Sequence, residues 1–447
     1  MKKILLFLSL FCPLFFTGCF HTSNLNPNRP VTLTMWHVYG SQKTSPLNDV
    51  IDEFNRTKGK EKGVLVNVVS VSDSAYIDQA LTASLNKAPG AAPLPNLFTA
   101  YPRVYSIFPS DSLLAWDDYL SREDLDKYTP AFIEEGQFDG HLYLLPIAKS
   151  TDILLLNKTI FDRFAAAKNI STDVLRTFEG FFSTAEQYYD WTQGQHMFQI
   201  NDYYNYFLLN TESVGGHFFK DDKFDLHSEA FRKVYMPAAH AIIYGGLSAE
   251  KGYATDRWKT AEIIGHLGST AGIMYLREYV TYRDNSRESI HLIALPYPHF
   301  SGGTSYILQR GTGLYALKNE DEALNEAAAI FGKWIGEPAH NLAFVTNAGY
   351  VPVQTAAAEQ LFQNVDAVEQ PRCRTLYHAM LQMYQEGAQY MALPRHPNLE
   401  TMQHAFERDF REILHQKHLA YIAGGRGGDE RIESLALEAL AELQKKY

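Results

Sequence analysis

The sequence predicts an α/β protein of two domains, and three observations point there. Its 447 residues are roughly three times the length of a typical single domain. Strand-like and helical patterns alternate from residue 31 to residue 101, and the strand pattern returns near residue 290 after a long helical, aromatic stretch. Hydrophobic residues at 46% and charged residues at 20% are near the averages of soluble globular chains, which excludes a globally disordered protein.

Val31–Val38 reads as the first strand, and Pro46 to Lys58 as a helix with Leu47, Val50, Ile51 and Phe54 on one face and Pro46 in its first turn. Val64–Val71 is a near-continuous apolar run, the pattern of a strand covered on both faces. Ala75 to Lys87 is again helical and Leu97–Tyr101 is a third strand, so the opening β-α-β-α-β order implies a mainly parallel sheet backed by helices. Leu142–Pro146 and Ile153–Leu156 are two further strands, and Asn157 and Lys158 lead into a helix containing Phe161. Ile290–Leu295 and Gly313–Leu317 restore strand character before an amphipathic helix from Glu322 to Trp334. Gly424–Gly428 breaks the chain, and Ile432, Leu435, Ala436, Ala439, Leu440 and Leu443 then line one face of a terminal helix. Strands, a helical insertion and strands again describe a chain that crosses between two lobes more than once.

The first residues are of another kind. Lys2 and Lys3 precede an apolar run from Ile4 to Phe16, too short to span a membrane and hold there, which marks an export signal over residues 1–18. Phe16-Thr17-Gly18-Cys19 resembles the lipobox of bacterial lipoproteins, which implies cleavage before Cys19 and a diacylated thiol; a plain signal peptide with an incidental cysteine is the other reading. Cleavage leaves 38 basic against 51 acidic side chains, a net charge of −13, and no basic cluster dominates. Both facts argue against nucleic acid as a partner. With Cys19 lipidated, Cys373 is the one free thiol, so no intramolecular disulfide forms and stability rests on packing. Residues 19–30, rich in Asn, Pro, Ser and Thr, read as a flexible lipid-anchored tether.

Several segments carry a wider resemblance: Leu33-Thr34-Met35-Trp36-His37, Leu114–Leu120, Gly140–Phe161, and Phe331–Trp334 running on to Ala348–Val353. In that order, on an exported chain, they resemble the family 1 extracellular solute-binding proteins of bacterial ABC importers, nearest to the glycerol-3-phosphate binders. The resemblance implies a type II periplasmic-binding-protein fold, two α/β lobes joined by hinge strands with ligand held between them. Lobe one would take residues 31–147 and 293–345, and lobe two 148–292 and 346–447, with the hinge near Pro146–Ser150. It implies a monomer that hands a sugar or polyol phosphate to permease subunits served by a cytoplasmic ATPase, with no cofactor. A micromolar ligand supplies about 8 kcal/mol, enough to drive closure if a few kcal/mol go into it.

The same resemblance carries individual residues. Tyr350 matches a tyrosine turned toward the ligand, with a stacking face and a hydrogen-bonding tip. Gly311 matches a close backbone approach to ligand, or marks a plain turn. Arg395 matches an arginine able to hold phosphate or vicinal hydroxyls bidentately. Tyr203 and Tyr204 stand where the subgroup has a tryptophan pair, and either stack on a sugar or form a helix face. Arg277 is a second cationic contact or a surface partner of Glu278 or Asp284. Trp36, His37, Tyr101, Ser150 and Thr151 fall at strand ends or at the hinge, where open α/β sheets bind ligands.

Other chemistries fit less well. His415 and His418 are three apart on a helix but lack a third ligand of suitable spacing, so solvent-facing polar residues are the better reading. Asp117-Asp118 and Asp221-Asp222 do not establish the separation that glycoside hydrolysis needs. Neither a Gly-x-Ser-x-Gly elbow nor a Gly-Lys-Ser/Thr phosphate loop occurs. A secreted hydrolase and a scaffold lipoprotein remain the alternatives to a transport protein.

Overall fold

A computed structural model describes residues 24–39, 45–70, 74–109, 111–396 and 398–447. The expected export signal and Cys19 lie outside these residues. No helix among the described residues is long and apolar enough to cross a membrane.

Two five-stranded sheets organise the chain. The first contains β1 (Val31–His37), β2 (Val64–Ser70), β3 (Leu97–Ala100) and β4 (Leu145–Pro146), and a later strand, Gly313–Ala316. Its order is β2-β1-β3, then Gly313–Ala316, then β4. β1, β2, β3 and β4 run in one direction, and Gly313–Ala316 runs antiparallel between β3 and β4. The second sheet contains β5 (Asp152–Asn157), β6 (Phe198–Ile200), β7 (Leu247–Ser248), β8 (Gly265–Ser269) and β9 (Leu292–Leu295) in the order β7-β6-β8-β5-β9. Helices of the first lobe include α1 (Pro46–Arg56) and α2 (Ser74–Leu85). The second lobe is helix-rich and includes α3 (Lys158–Lys168), α4 (Tyr203–Ser213) and α5 (Glu229–Tyr244). It closes with α6 (Leu399–Ala423) and α7 (Asp429–Gln444).

The hydrophobic patterns account for most of this. Leu47, Val50, Ile51 and Phe54 of α1 are all buried, as are the six apolar residues expected on one face of α7. Burial of each larger side chain contributes roughly 1.5–3 kcal/mol relative to exposure. The run at β2 differs from its expectation. β2 is the sheet edge, and Leu65 and Val69 are each 43% exposed while Val64 and Val66 are buried, so only one of its faces is covered. Leu142–Pro146 is also not one strand, because His141–Leu142 pairs with Gln137–Phe138 in a small hairpin and only Leu145–Pro146 joins the sheet. The expected tether is shorter than residues 19–30. The Asn24 backbone N–H donates to Glu326 (2.9 Å), Leu25 packs on the core, and Asn26 and Pro27 crowd Gly63.

The lobes are joined where three chain segments meet. Lys149 and Val351 exchange backbone hydrogen bonds of 3.2 and 2.6 Å, and Ser150 and Arg310 exchange bonds of 2.9 and 2.8 Å. β9 belongs to the second sheet, through its pairing with β5, and Tyr306–Leu308 pairs with Gln389–Met391 beyond it. The chain therefore returns to the first lobe at Arg310, not at residue 293. Sheet pairing overrides the boundary drawn from resemblance, because a strand buried beside β5 cannot belong to the other lobe.

Asn341 braces this junction from the first lobe. It is fully buried, its Nδ2 donates to the Ile147 carbonyl (2.7 Å), and its Oδ1 accepts from the Val353 N–H (3.1 Å). Asn341→Ala leaves a buried acceptor and a buried donor without partners, each costing about 1–3 kcal/mol. Urea unfolding is expected to show a loss of about 2–6 kcal/mol against wild type.

Candidate functional site

The parallel strands β1 and β3 run so that their C-terminal ends meet the gap between the lobes, the usual ligand position in open α/β sheets. A cavity of about 270 Å³ lies there. Tyr101, Arg103, Tyr105, Glu135 and Phe138 wall it from the first lobe, and Leu393, Arg395, His396, Glu400 and Gln403 from the second. Tyr101 follows β3 directly, and Arg103 comes two residues later in a short 3-10 turn, Pro102–Ile107. Glu400 and Gln403 occupy the first turns of α6.

The cavity walls combine aromatic faces with paired charges. The Arg103 guanidinium lies 4.7 Å from the centre of the Tyr101 ring, and that of Arg395 lies 5.0 Å from the Phe138 ring. Tyr105 stacks on Phe138 at 4.3 Å. Arg395 donates to the backbone carbonyls of Gln137 (2.8 Å) and Glu134 (2.5 Å). Glu135, itself nearly buried, pairs with the equally buried hinge residue Lys149, so one cavity wall is tied to the lobe junction.

A second, smaller gap of about 30 Å³ lies nearby. Tyr39 and Tyr350 line it with Phe344 from one side, and Ala271 and Tyr275 from the other. Tyr39 and Tyr350 meet edge to face at 5.3 Å, and the Tyr39 hydroxyl shares a 3.0 Å hydrogen bond with Thr312. Burial pushes both phenols up, well above the usual range for Tyr350, so both stay neutral.

At the hinge itself sits Arg310, whose Nη1 donates to Asp152 (2.5 Å) while its Nη2 lies 3.7 Å from Asp202. Burial opposes its charge, but the two carboxylates outweigh that and hold the guanidinium protonated. Asp202 also caps α4 through the Asn205 N–H (2.9 Å), and desolvation raises its carboxyl against the pull of Arg310.

Of the residues singled out from the sequence, Tyr101 and Arg395 line the larger cavity and Tyr350 the smaller gap. Ser150 and Thr151 are buried hinge residues. Ser150 is engaged through its backbone, and the Thr151 hydroxyl has no hydrogen-bond partner. Gly311 takes a positive φ of +101°, and a Cβ there would meet the Ala148 carbonyl oxygen at 3.0 Å. Its close approach is thus to the hinge strand. Tyr203 and Tyr204 are corrected: both lie in the core of the second lobe, the first against Phe410 (4.5 Å) under the Arg411 guanidinium, the second among Phe218 and Phe224. A helix start rich in tyrosine reads alike whether its rings face ligand or core. Trp36 is buried with Ile77, Leu81 and Phe98. His37 is fully buried, its ring bonded to Asn48 (2.8 Å) and accepting the Tyr39 N–H (3.1 Å). Arg277 is exposed on the outer face, over the Tyr279 ring, with its carbonyl accepting from Trp258. It lines neither gap.

Among the residues set aside, His418 is buried and its Nδ1 bonds the Ile243 carbonyl, contrary to the solvent-facing reading. Asp117 pairs with His141 (3.0 Å) and accepts the Leu142 N–H, and Asp221-Asp222 form the two-residue turn of a small hairpin with positive φ at both. Sequence reading missed Arg103, Glu135, Phe138, His396, Glu400 and Gln403. Only Arg103 carried a signal, two residues beyond the end of a parallel strand.

A family model described as bacterial extracellular solute-binding protein matches residues 49–370. The chain belongs to this family. As a member, it is a bacterial extracellular solute-binding protein, with the two-lobed type II periplasmic-binding-protein fold. No curated protein matches the sequence. Among solved structures, UgpB from Mycobacterium tuberculosis, in complex with glycerophosphocholine, is similar with a TM-score of 0.69 at 16% identity, over 93% of this chain and 98% of that one. The cyclic α-maltosyl-1,6-maltose binding protein from Arthrobacter globiformis has a TM-score of 0.62 at 16% identity, over 94% and 100%. Maltose-bound MalE3 of T. maritima has a TM-score of 0.61, also at 16% identity, over 93% and 100%.

Two buried histidines make the stability of this solute-binding protein depend on pH. Desolvation lowers both His37 and His266 to about 4, with the Asn48 hydrogen bond partly opposing the shift at His37. Between that value and the ordinary histidine value of 6.5 the unfolded chain binds more protons than the folded one, so stability is full above pH 6.5 and falls as pH drops toward 4. Each histidine contributes a slope of up to about 1.4 kcal/mol per pH unit in that window. Denaturant titrations at pH 7, 6 and 5 are expected to show the fall, and His266→Asn to reduce its steepness.

Proposed function

We propose that this protein captures a small polyol phosphate of the glycerol-3-phosphate type, holds it by closing its lobes, and delivers it to ABC permease subunits without altering it. The observation that carries this reading is the cavity at the strand ends, with guanidinium groups from both lobes, Arg103 and Arg395, set over aromatic faces. A guanidinium fork suits a phosphate, and the carboxylates of Glu135 and Glu400 suit ligand hydroxyls. At about 270 Å³ the cavity lies just below the usual size of ligand sites, about 300 to 1,000 Å³, which suits a small ligand. The glycerophosphocholine bound by the M. tuberculosis UgpB structure supports the class.

A neutral sugar is the second reading. Tyr101, Tyr105 and Phe138 offer stacking faces, and the A. globiformis and T. maritima neighbours bind maltose-type sugars. Anchoring through a lipid on Cys19 is part of the same proposal. Cys19→Ala is expected to move the protein from the membrane fraction to the soluble one.

The test is thermal unfolding of the protein with glycerol-3-phosphate, glycerophosphodiesters, maltose and longer oligosaccharides. A ligand at one hundred times its Kd adds about 2.7 kcal/mol of stability and raises Tm by several degrees. Phosphorylated polyols are expected to produce that rise, and Arg395→Ala to weaken their binding at least about tenfold, in line with loss of a charge-assisted pair. A rise with sugars alone selects the second reading, and no rise with any compound overturns both. Recovery of a hydrolysed ligand would point instead to a secreted hydrolase.

A further inference from the structure

Away from the hinge, charged side chains also join the two lobes. Arg103, in the first lobe, has two neighbours of opposite charge. Its Nη2 and Nε reach one oxygen of Asp78 on α2, at 2.6 and 3.0 Å. Its Nε also lies 2.9 Å from Glu400 of the second lobe. Relative exposures of 24% for Arg103, 21% for Asp78 and 37% for Glu400 show a group only partly open to solvent. The other Asp78 oxygen is buried and has no hydrogen-bond partner, and burial raises this carboxyl despite the neighbouring guanidinium.

The three groups divide their work by position. Asp78 and the Tyr101 ring belong to the same lobe as Arg103, so they hold the guanidinium at the cavity rim whether the lobes are together or apart. Glu400 belongs to the other lobe and meets Arg103 only when the gap narrows. We propose that Arg103 and Glu400 form an ionic latch across the cleft, which draws the empty lobes together and gives the ligand-free protein a closed population that depends on salt.

A partly exposed ion pair shifts a two-state equilibrium about 1.5- to fivefold. Screening weakens it, since the screening length falls from about 20 Å at 20 mM salt to about 4 Å at 500 mM.

Small-angle scattering of the protein, freed of copurified solute by dialysis from denaturant, reads this directly. Wild type is expected to show a radius of gyration that grows between 20 and 500 mM NaCl. Glu400→Lys places two cations together and is expected to be expanded already at 20 mM, with little further response. Glu430→Lys, the same charge change in the exposed first turn of α7, is expected to behave as wild type. Glu400→Gln, which removes the charge without creating repulsion, is expected to fall between them and serves if the lysine variant folds poorly. Equal radii for wild type and both Glu400 variants at low salt, or a wild type indifferent to salt, would overturn the latch. Since no ligand is added, the outcome stands apart from the identity of the solute.

Discussion

Four backbone hydrogen bonds, between Lys149 and Val351 and between Ser150 and Arg310, are the constraint on which the remaining architecture depends. They bring three separate parts of the chain to one place, and the two sheets extend from there in opposite directions. The surroundings keep that junction narrow. Gly311 allows the Arg310 segment to lie against Ala148–Ser150 without a side chain between them, and Asn341 ties Ile147 to Val353. The Lys149–Glu135 pair adds a buried charge contact whose geometry is specific. A junction of this kind has few dihedral angles free to turn, so motion of the lobes is expected to be a hinge rotation and not a general loosening.

The charges near the cleft follow a consistent arrangement. Each cationic group there is already engaged by acceptors or an aromatic face, within its own lobe for Arg103 and across to the first lobe for Arg395. Arg395 rests on Phe138 and two carbonyls, Arg103 on Tyr101 and Asp78, and Arg310 on Asp152 with Asp202 beyond it. Desolvating a guanidinium without partners is expensive, and this arrangement meets much of that cost before any ligand arrives. The exchange that binding requires is then one set of acceptors for another, which favours ligands able to offer several oxygens at once.

Much of the fold was legible because periodic patterns survive without knowledge of contacts. The buried faces of α1 and α7 follow directly from the spacing of Leu47, Val50, Ile51 and Phe54, and of Ile432 to Leu443. The strand at Ile153–Leu156 was visible because both its faces are covered. What escaped depends on pairing across distance. No local feature says that Leu292–Leu295 sits beside Asp152–Asn157, or that Val64–Ser70 lies at an edge. The site was legible in the same uneven way. Tyr101 was found from its place at a strand end, and Arg395 and Tyr350 through resemblance. Glu135, His396, Glu400 and Gln403 come from helices and loops far apart in sequence that converge only after the lobes fold. Tyr203 and Tyr204 show the opposite error, since aromatic character is shared by ligand platforms and cores, and only the packing of Phe410, Phe218 and Phe224 around them decides between the two.

The cavity's aromatic wall is made of tyrosine and phenylalanine, and none of the five tryptophans lines it. Indole emission would therefore report on the interiors of the lobes, where Trp36, Trp116 and Trp258 are buried, and stay largely silent when a solute enters. An optical sensor built on this scaffold needs its fluorophore installed at the rim, where the surroundings change as the jaws meet.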